Sequence, residues 1–254
     1  MVEVAVTGAA GRMGREVLAA AADREIEVAF AVNRSPVDEP IAGVDVESSD
    51  DFEALLADHE PAVVVDFTGP ESAVDYAAAC AEAGVALVTG TTGFDEAGLA
   101  DLKATSESTA ILKASNFSRG VAALRLAVQE ATAALPDADI ELTETHHNAK
   151  RDAPSGTAKT LLDDIEDVRE DISERVHGRE GEAPRSADEI GVHARRAGDI
   201  AGEHEVLLGG SNEVLSLTHR AGDRSIFADG ALDAAVWLAD REAGWYDFFE
   251  VIEG

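Results

Sequence analysis

Three glycines near the start of the chain constrain its fold more than any other feature. A short apolar run, Val4 to Thr7, ends at Gly8, and Gly11 and Gly14 follow at intervals of three. A strand, such a turn and then a helix let the backbone approach a pyrophosphate at the helix N-terminus. The spacing differs from the commoner G-x-G-x-x-G, and the alternative interpretation is a glycine-rich turn without a ligand. We favour a dinucleotide site because the turn lies between a strand and a helix.

The first half of the chain alternates apolar runs with helical patterns. After the first strand, the apolar runs lie at residues 26–32, 62–67, 85–89 and 110–112. One intervening helix is expected to begin at Pro70 and to end at Gly84. Continuous apolar strands that alternate with helices predict a parallel sheet covered on both faces. We therefore predict an α/β fold with an N-terminal Rossmann-type, doubly wound parallel sheet.

The second half of the chain alternates apolar and polar residues. This strand pattern occurs near residues 140–145, 190–194, 206–208 and 214–217. A turn signal, Gly209 to Asn212, separates the last two segments. These patterns predict a smaller α+β domain with a mixed, largely antiparallel sheet. Residues 163–189 are expected to form a solvated helix end and a loop, and residues 228–252 are expected to be helical.

The chain accordingly divides into two predicted domains. Residues 1–117, completed by the C-terminal segment 224–254, form the predicted dinucleotide-binding Rossmann domain. Residues 118–223 form the second domain, which is expected to bind the substrate.

The charge of the chain is strongly acidic. Asp and Glu total 51 against 20 Lys and Arg, which gives a formal net charge of −31. No basic patch is available to neutralise phosphates, so nucleic acid is excluded as a partner. Because the acidic residues are spread along the chain, we interpret them as a surface suited to molar salt, where the Debye length is about 3 Å. An acidic face directed at one basic partner is the alternative.

Targeting signals are not recognisable in the sequence. No apolar stretch approaches the length of about 18 residues that a membrane helix needs, and the N-terminus lacks a signal-peptide pattern. The single cysteine, Cys80, lies among alanines and is expected to be a core residue, so no intramolecular disulfide is expected. We expect a cytoplasmic protein without a membrane partner.

The end of the second strand bears on the choice of nucleotide. An acidic residue there would bind the ribose hydroxyls of NAD, whereas a nearby Arg favours the 2′-phosphate of NADP. This chain has Asn33 followed by Arg34, which favours NADPH, although Arg34 could also be a solvated loop residue. The loops at 90–94 and 115–117 follow the fourth and fifth strands, so they are expected to face the same crevice.

The segment from 146 to 158 has the highest density of chemically active side chains. Two imidazoles and an ammonium, His146, His147 and Lys150, can donate a proton or hold a carboxylate near neutral pH. Ser155 is suited to cap a helix whose first amides, at Gly156 and Thr157, would face an anion. Structural histidines are the alternative.

A metal site is not expected in this segment. Adjacent residues of a strand, here His146 and His147, point to opposite faces. No cysteine or third-ligand pattern supports zinc.

Six segments in order along the chain resemble the dihydrodipicolinate reductase family. They are VAVTGAAGRMGR (4–15), VDFTGPE (65–71), GTTGF (90–94), ASNFS (114–118), ETHHNAKRDAPSGT (144–157) and RAGDIAGEH (196–204). The resemblance continues to about residue 245 and so covers nearly the whole chain. The chain is identified from these motifs as a member of that family.

The resemblance implies an activity and an assembly. The family reduces the dehydrated form of 4-hydroxy-tetrahydrodipicolinate, a small cyclic dicarboxylate, to tetrahydrodipicolinate, with NADPH or NADH, in lysine and diaminopimelate biosynthesis. It also implies a homotetramer built on the second-domain sheets, which makes that domain an oligomerisation domain as well.

The resemblance also implies a role for each motif residue. His146 resembles the acid/base residue, Lys150 the proton donor or its partner, and His147, Gly156 and Thr157 the substrate carboxylate contacts, with Ser155 beside them. The implied cofactor contacts are Gly8, Ala9, Ala10, Gly11, Arg12, Met13, Asn33, Arg34, Gly90, Thr91, Thr92, Ala114, Ser115, Asn116 and Phe117. The chain departs from the family at Asn33, which replaces an acidic residue, and in a short stretch at 35–50. The first departure leaves the choice between NADPH and NADH open.

Two other functions remain as alternatives. The chain could be another NAD(P)-dependent dehydrogenase acting on an amino or dicarboxylic acid, or a non-catalytic NADP-binding regulator of the same fold. The motif at 144–157 argues against the first, and the presence of both His146 and Lys150 argues against the second.

Overall fold

The computed structural model describes residues 2–253, which divide into two compact units. The first unit contains the described residues up to Ser118 and those from Arg224 onward, and the second unit is Arg119–Asp223. In chain order the elements are β1 (Glu3–Thr7), α1 (Arg12–Asp23), β2 (Glu27–Asn33), β3 (Val46–Ser48), α2 (Phe52–His59), β4 (Val63–Asp66), α3 (Pro70–Ala83), β5 (Ala86–Thr89), α4 (Glu96–Thr105), β6 (Ala110–Lys113), α5 (Arg119–Ala134), β7 (Asp139–His146), α6 (Gly156–Val168), β8 (Glu174–His177), β9 (Glu189–Arg196), β10 (Glu203–Gly209), β11 (Val214–Arg220), α7 (Ser225–Leu238), β12 (Gly244–Tyr246) and α8 (Phe248–Glu253).

The first unit is built on a seven-stranded parallel sheet. Its strand order is β12-β6-β5-β4-β1-β2-β3, and every neighbouring pair is parallel. Val63, Val64 and Val65 of β4 have no exposed surface, as expected for a strand covered on both faces. The predicted Rossmann-type sheet is confirmed.

Local sequence signals set the ends of α3. Pro70 occupies the first turn, where its missing N–H costs nothing, and Gly84 takes a left-handed conformation just past the last residue. Cys80 of this helix is fully buried, as predicted, and burial raises the pKa of its thiol.

The C-terminal segment differs from the prediction. The helical periodicity of residues 228–252 predicts helix, which α7 and α8 confirm, but β12 lies between these helices and pairs with β6. The large side chains Trp237, Trp245 and Phe248 are spaced as in one helix, but they belong to three separate elements, α7, β12 and α8. Within the first unit, α7 packs closely, since a Cβ at Gly230 would lie 1.8 Å from the Phe117 carbonyl oxygen.

The second unit contains a mixed five-stranded sheet of order β11-β10-β7-β9-β8. Strand β10 is antiparallel to both of its neighbours, whereas the pairs β7–β9 and β9–β8 are parallel. The predicted mixed sheet is confirmed, with antiparallel pairs making up half of it. Its core includes Leu142 of β7 together with Leu161, Leu162 and Ile165 of α6.

The helix end predicted within residues 163–189 is confirmed, since α6 ends at Val168, but β8 lies in the part predicted to be a loop, and that part of the prediction is wrong. The strand has only four residues, three of them charged or titratable, and lies at the sheet edge, so it lacks an apolar pattern. Arg175 of β8 donates two hydrogen bonds of 2.5 Å to Glu166 of α6, which joins the edge strand to the helix. None of the helices within residues 2–253 is long and apolar enough to cross a membrane.

Candidate active site

The turn after β1 requires glycine at two positions. Gly8 has φ +67°, and a Cβ there would lie 2.9 Å from the Phe67 carbonyl oxygen. A Cβ at Gly14 would lie 2.2 Å from the Gly8 carbonyl oxygen. Helix α1 therefore starts directly against the turn, and the space that glycine leaves fits the close approach of a pyrophosphate.

Three backbone amides of this turn donate hydrogen bonds to other groups of the first unit. They shape the turn and hold it to the end of β2, through Ala9 N–H to Val32 O (3.1 Å), Gly11 N–H to Gly8 O (2.9 Å) and Ala10 N–H to Asn33 Oδ1 (3.3 Å). The first amides of a helix lack an acceptor within that helix. In α1 these belong to Arg12 and Met13, and the first turn contains no acidic residue. This end of α1 can therefore accommodate an anion.

Asn33 and Arg34 have different environments. The Asn33 side chain accepts from Ala10 and donates to the Ser35 carbonyl oxygen at 2.8 Å, so it links β2 to the glycine turn. Arg34 is exposed and lines a cavity of about 300 Å³ together with Gly8, Gly11, Thr68 and Tyr76, among others.

The loops after β5 and β6 lie at the same edge of the sheet as the glycine turn. The Ala114 N–H donates to the Thr89 carbonyl oxygen at 3.2 Å, which joins the two loops. Thr92 and Ser115 are exposed, whereas Thr91 is 4% exposed. Phe117 is buried, so its ring belongs to the core.

The buried face of β7 changes from apolar to polar along the strand. Ile140 and Leu142 lie in the core, and Glu144 and His146 continue the same face. Glu144 is fully buried, and its Oε2 lies 2.5 Å from Nδ1 of His146.

Two further groups bind the Glu144 carboxylate. Arg196 of β9, which pairs in register with His146, contacts both carboxylate oxygens at 2.8 Å. The Ser155 N–H donates to Oε1 at 3.2 Å. Burial alone would raise the pKa of Glu144, but the hydrogen bonds from His146 and Arg196 lower it to about 2.

The contact with Glu144 fixes the orientation of the His146 ring. With Nδ1 directed at the carboxylate, Nε2 faces Gly202, where a Cβ would lie 3.1 Å away. Glycine at 202 thus keeps space beside Nε2. An imidazole held in this way by a carboxylate can exchange a proton through its other nitrogen.

His204 of β10 packs against this group as a neutral imidazole. Its ring centroid lies 5.2 Å from that of His146, and its Nε2 is 3.1 Å from Ser155 Oγ. Burial lowers the pKa of His204 to about 3, with a further electrostatic contribution from the neighbouring His146 ring. Ser155 also caps α6, because its Oγ accepts the Ala158 N–H at 3.2 Å.

The other predicted residues lie in the loop after β7 and at the start of α6. Lys150 Nζ is 2.8 Å from Asp152 Oδ1. His147 is half-buried beside His146, and Gly156 and Thr157 are the first residues of α6, whose first turn contains no acidic residue. Within residues 2–253, no cluster of three or more His, Cys, Asp or Glu could hold a metal ion.

Sequence reasoning did not assign roles to Glu144, Arg196 or His204. The signal for Glu144 was its spacing of two residues from His146 on a strand, which places both side chains on one face. Arg196 and His204 are the first and last residues of the motif at 196–204, but the motif gave neither side chain a role.

The fold, the glycine turn and the histidine held by Glu144 together define the class of protein. A parallel sheet with a glycine turn, joined in the chain to an α+β unit with a carboxylate-held histidine, is typical of a dinucleotide-dependent oxidoreductase.

Comparisons with known proteins identify the family. The model of "Dihydrodipicolinate reductase, N-terminus" matches residues 2–117, and that of "Dihydrodipicolinate reductase, C-terminus" matches residues 120–252. A protein of Natronomonas pharaonis named 4-hydroxy-tetrahydrodipicolinate reductase is 55% identical over 249 residues, which cover 98% of this chain and 99% of that protein. One of the same name from Haloarcula marismortui is 52% identical over 253 residues and 100% of both chains.

Solved structures agree. Dipicolinate-bound dihydrodipicolinate reductase from Paenisporosarcina sp. TG-14 is similar with a TM-score of 0.80 and 25% identity, over 97% of each chain. An amine dehydrogenase from Mycobacterium smegmatis, at a TM-score of 0.63 and 16% identity, shares the fold alone. The chain belongs to the dihydrodipicolinate reductase family. It is an NAD(P)H-dependent oxidoreductase of amino-acid biosynthesis, in the branch that leads to lysine and diaminopimelate.

Proposed function

We propose that this chain reduces the dehydrated form of 4-hydroxy-tetrahydrodipicolinate to tetrahydrodipicolinate, with NADPH preferred over NADH. The observation that carries the proposal is the buried Glu144–His146 pair next to the start of α6. The first unit is the proposed nucleotide-binding domain, and the second is the proposed substrate-binding domain.

The start of α6 and its surroundings are suited to bind the carboxylates of the substrate. The first-turn amides of a helix and its dipole favour an anion, and α6 has no acidic residue in its first turn. We assign carboxylate binding to this turn, at Ser155, Gly156 and Thr157, with His147 beside it. The Lys150 ammonium supplies a positive charge in the same loop, where Asp152 holds it at 2.8 Å.

His146 is the proposed proton donor. Bound nicotinamide nucleotide would supply a hydride for one ring carbon of the substrate, and the neighbouring ring carbon would take a proton. With Nδ1–H donated to Glu144, the His146 ring can hold a second proton on Nε2 and transfer it to that carbon. Glu144 stabilises the imidazolium before transfer, and Lys150 is the proposed partner in returning the proton.

Arg34 supports the preference for NADPH. It follows the neutral Asn33 at the end of β2, where a guanidinium can bind a 2′-phosphate through charge-assisted hydrogen bonds.

A homotetramer associated through the second-unit sheet is also proposed. Its support is the edge strand β11, where Val214 is 64% exposed and Leu215 is 37% exposed. Light scattering of the purified protein measures the oligomer mass directly, and a monomer would contradict the proposal.

The test is an absorbance assay of nicotinamide oxidation with freshly synthesised substrate, run with NADPH and with NADH. The expected result is turnover with a higher kcat/KM for NADPH. His146→Ala should lower kcat by about 10²- to 10⁴-fold with unchanged nucleotide affinity. The matched control is His193→Ala, because His193 lies on the same sheet and contacts Glu141 instead. Absence of turnover with either nucleotide would reject the proposal.

A further inference from the structure

A buried carboxylate joins three strands of the first unit. Asp66, the last residue of β4, has no exposed surface. It pairs in register with Thr7 of β1 on one side and with Thr89 of β5 on the other. Four hydroxyls donate to it: Thr7 (2.7 Å) and Thr68 (2.6 Å) to Oδ1, and Thr89 (2.7 Å) and Thr91 (2.8 Å) to Oδ2. We call Asp66 and these four threonines the threonine hub.

The hub uses the whole acceptor capacity of the carboxylate. A carboxylate offers about four lone-pair positions, and four hydroxyls fill them. Asp66 therefore has none left for a nucleotide. Burying a carboxylate costs free energy unless it is hydrogen-bonded, and the four donors together offset that cost.

The hub also fixes backbone in the loops beyond the strands. Thr91 Oγ1 accepts the Thr68 N–H at 3.0 Å, and Thr89 Oγ1 accepts the Thr91 N–H at 3.2 Å. Because each hydroxyl gives its hydrogen to Asp66, both chains of hydrogen bonds run in one direction, from amide to hydroxyl to carboxylate. Successive bonds of this kind polarise and strengthen one another.

Three threonines of the hub lie next to segments proposed to bind the nucleotide. Thr7 precedes Gly8 of the glycine turn, Thr68 lines the same cavity as Arg34, and Thr91 precedes the exposed Thr92. The hub thus connects three loops from three different strands.

We propose that the threonine hub is a positioning network for the nucleotide, and that Thr91 acts through Asp66 and Thr68 instead of contacting the nucleotide with its side chain. The inference rests on the proposed function, in which these loops bind NADPH or NADH. The family resemblance implies a direct contact between Thr91 and the nucleotide; in this proposal the Thr91 side chain acts on the nucleotide only through the hub. Loops that are already ordered lose less conformational entropy on binding, so the hub raises affinity without touching the ligand.

The experiment compares two threonine-to-valine substitutions in the same unit. Thr91→Val removes a hub hydroxyl. Thr109→Val is the matched control, because Thr109 is equally buried but donates to the Val85 carbonyl oxygen (2.8 Å) at the opposite ends of the strands. For each variant, the unfolding midpoint is measured by circular dichroism and the Kd for NADPH and NADH by fluorescence titration.

The expected result is a Kd about ten-fold higher in Thr91→Val, an unchanged Kd in Thr109→Val and recovery in Thr91→Ser, which restores the hydroxyl. Asp66→Asn should weaken binding further, since an amide offers one acceptor oxygen instead of two. If Asp66→Asn fails to fold, the nucleotide Kd of Thr91→Val still tests the proposal. A lower unfolding midpoint in Thr91→Val with wild-type Kd would overturn the inference. A wild-type protein that binds neither nucleotide would instead overturn the proposed function on which it rests.

Discussion

Glu144 accepts hydrogen bonds from three directions, and each donor belongs to a different part of the second unit. His146 continues the same strand, Arg196 comes from β9, and Ser155 precedes α6. A single carboxylate therefore sets both the orientation of the proposed proton donor and the start of the helix proposed to bind substrate. Loss of its charge would also leave the Arg196 guanidinium with only the carbonyl oxygens of Arg195 and Asp152 as acceptors.

We predict that Glu144→Gln lowers kcat by about 10- to 10³-fold while leaving the Kd for nucleotide unchanged, because His146 loses the carboxylate that stabilises its charged form. The measurement is steady-state kinetics together with nucleotide titration. Glu141→Gln is the control, since Glu141 lies on the opposite face of β7 and has its own ion pairs with Arg185 and His193. Equal kinetic losses in both variants would show that Glu144 acts only through stability.

His204 gives the second unit a predictable dependence on pH. Its pKa is lowered to about 3 in the folded protein from 6.5, so between these values the unfolded chain binds a proton that the folded chain does not. Stability should therefore fall as pH decreases below about 6.5, by up to about 1.4 kcal/mol per pH unit from this residue. The low pKa of Glu144 adds a second loss only below about pH 4.5.

We predict that His204→Gln reduces the slope of unfolding free energy against pH between about pH 5 and 6.5. The measurement is denaturant unfolding at a series of pH values in molar salt. His177→Gln serves as the control because His177 is exposed on β8. Parallel slopes for wild type and His204→Gln would refute the assigned shift.

At the level of elements, the start of α1 lies too close to the glycine turn for a side chain at position 14. Gly14→Ala would place a Cβ 2.2 Å from the Gly8 carbonyl oxygen, so the helix start must move away from β1. We predict a lower unfolding midpoint and at least a ten-fold loss of nucleotide affinity. Gly222→Ala is the control, since nothing lies within 4 Å of its Cβ position. Wild-type affinity in Gly14→Ala would mean that the turn does not hold the pyrophosphate.

In the first unit the interior strands could be predicted from sequence, and the two edge strands could not. Strands β1, β2, β4, β5 and β6 have continuous apolar runs that burial on both faces requires. Strands β3 and β12 lie at the two edges of this sheet, and β8 lies at an edge of the sheet in the second unit. An edge strand has one neighbour, so its formation depends on a partner distant in sequence more than on its own pattern.

The same reason explains which site residues were found. His146, Lys150 and Ser155 lie within ten residues, so a local motif reveals them. The contact of Glu144 with Arg196 spans 52 residues and depends on the register of β7 against β9. The threonine hub depends in the same way on the register of three parallel strands.

At the scale of the whole molecule, the protein and its proposed ligands have net charges of the same sign. The chain has a formal net charge of −31, and both the nucleotide and the proposed substrate are anions. At low ionic strength the summed field repels both ligands and slows their entry. At about 1 M salt this field is screened beyond about 3 Å, whereas contacts with Lys150, Arg34 and the helix starts are screened much less.

We therefore predict that KM for both ligands falls as salt rises from about 0.1 M toward 1 M. Steady-state kinetics at several salt concentrations provide the measurement. Circular dichroism at each concentration separates this effect from a gain in folded protein. A steep rise of KM with salt in fully folded samples would contradict the prediction, because it would indicate attraction at long range.

The first unit is assembled from two separated stretches of chain, and this has a consequence for protein synthesis. A ribosome makes Arg119–Asp223 in full before it makes α7 and β12, which complete the sheet begun at β1. The second unit can thus fold on the ribosome while β6 still presents an unpaired edge, the kind of surface that captures other strands. The part translated first is finished last, so a prematurely terminated product keeps that edge open and becomes a target for chaperones and proteases.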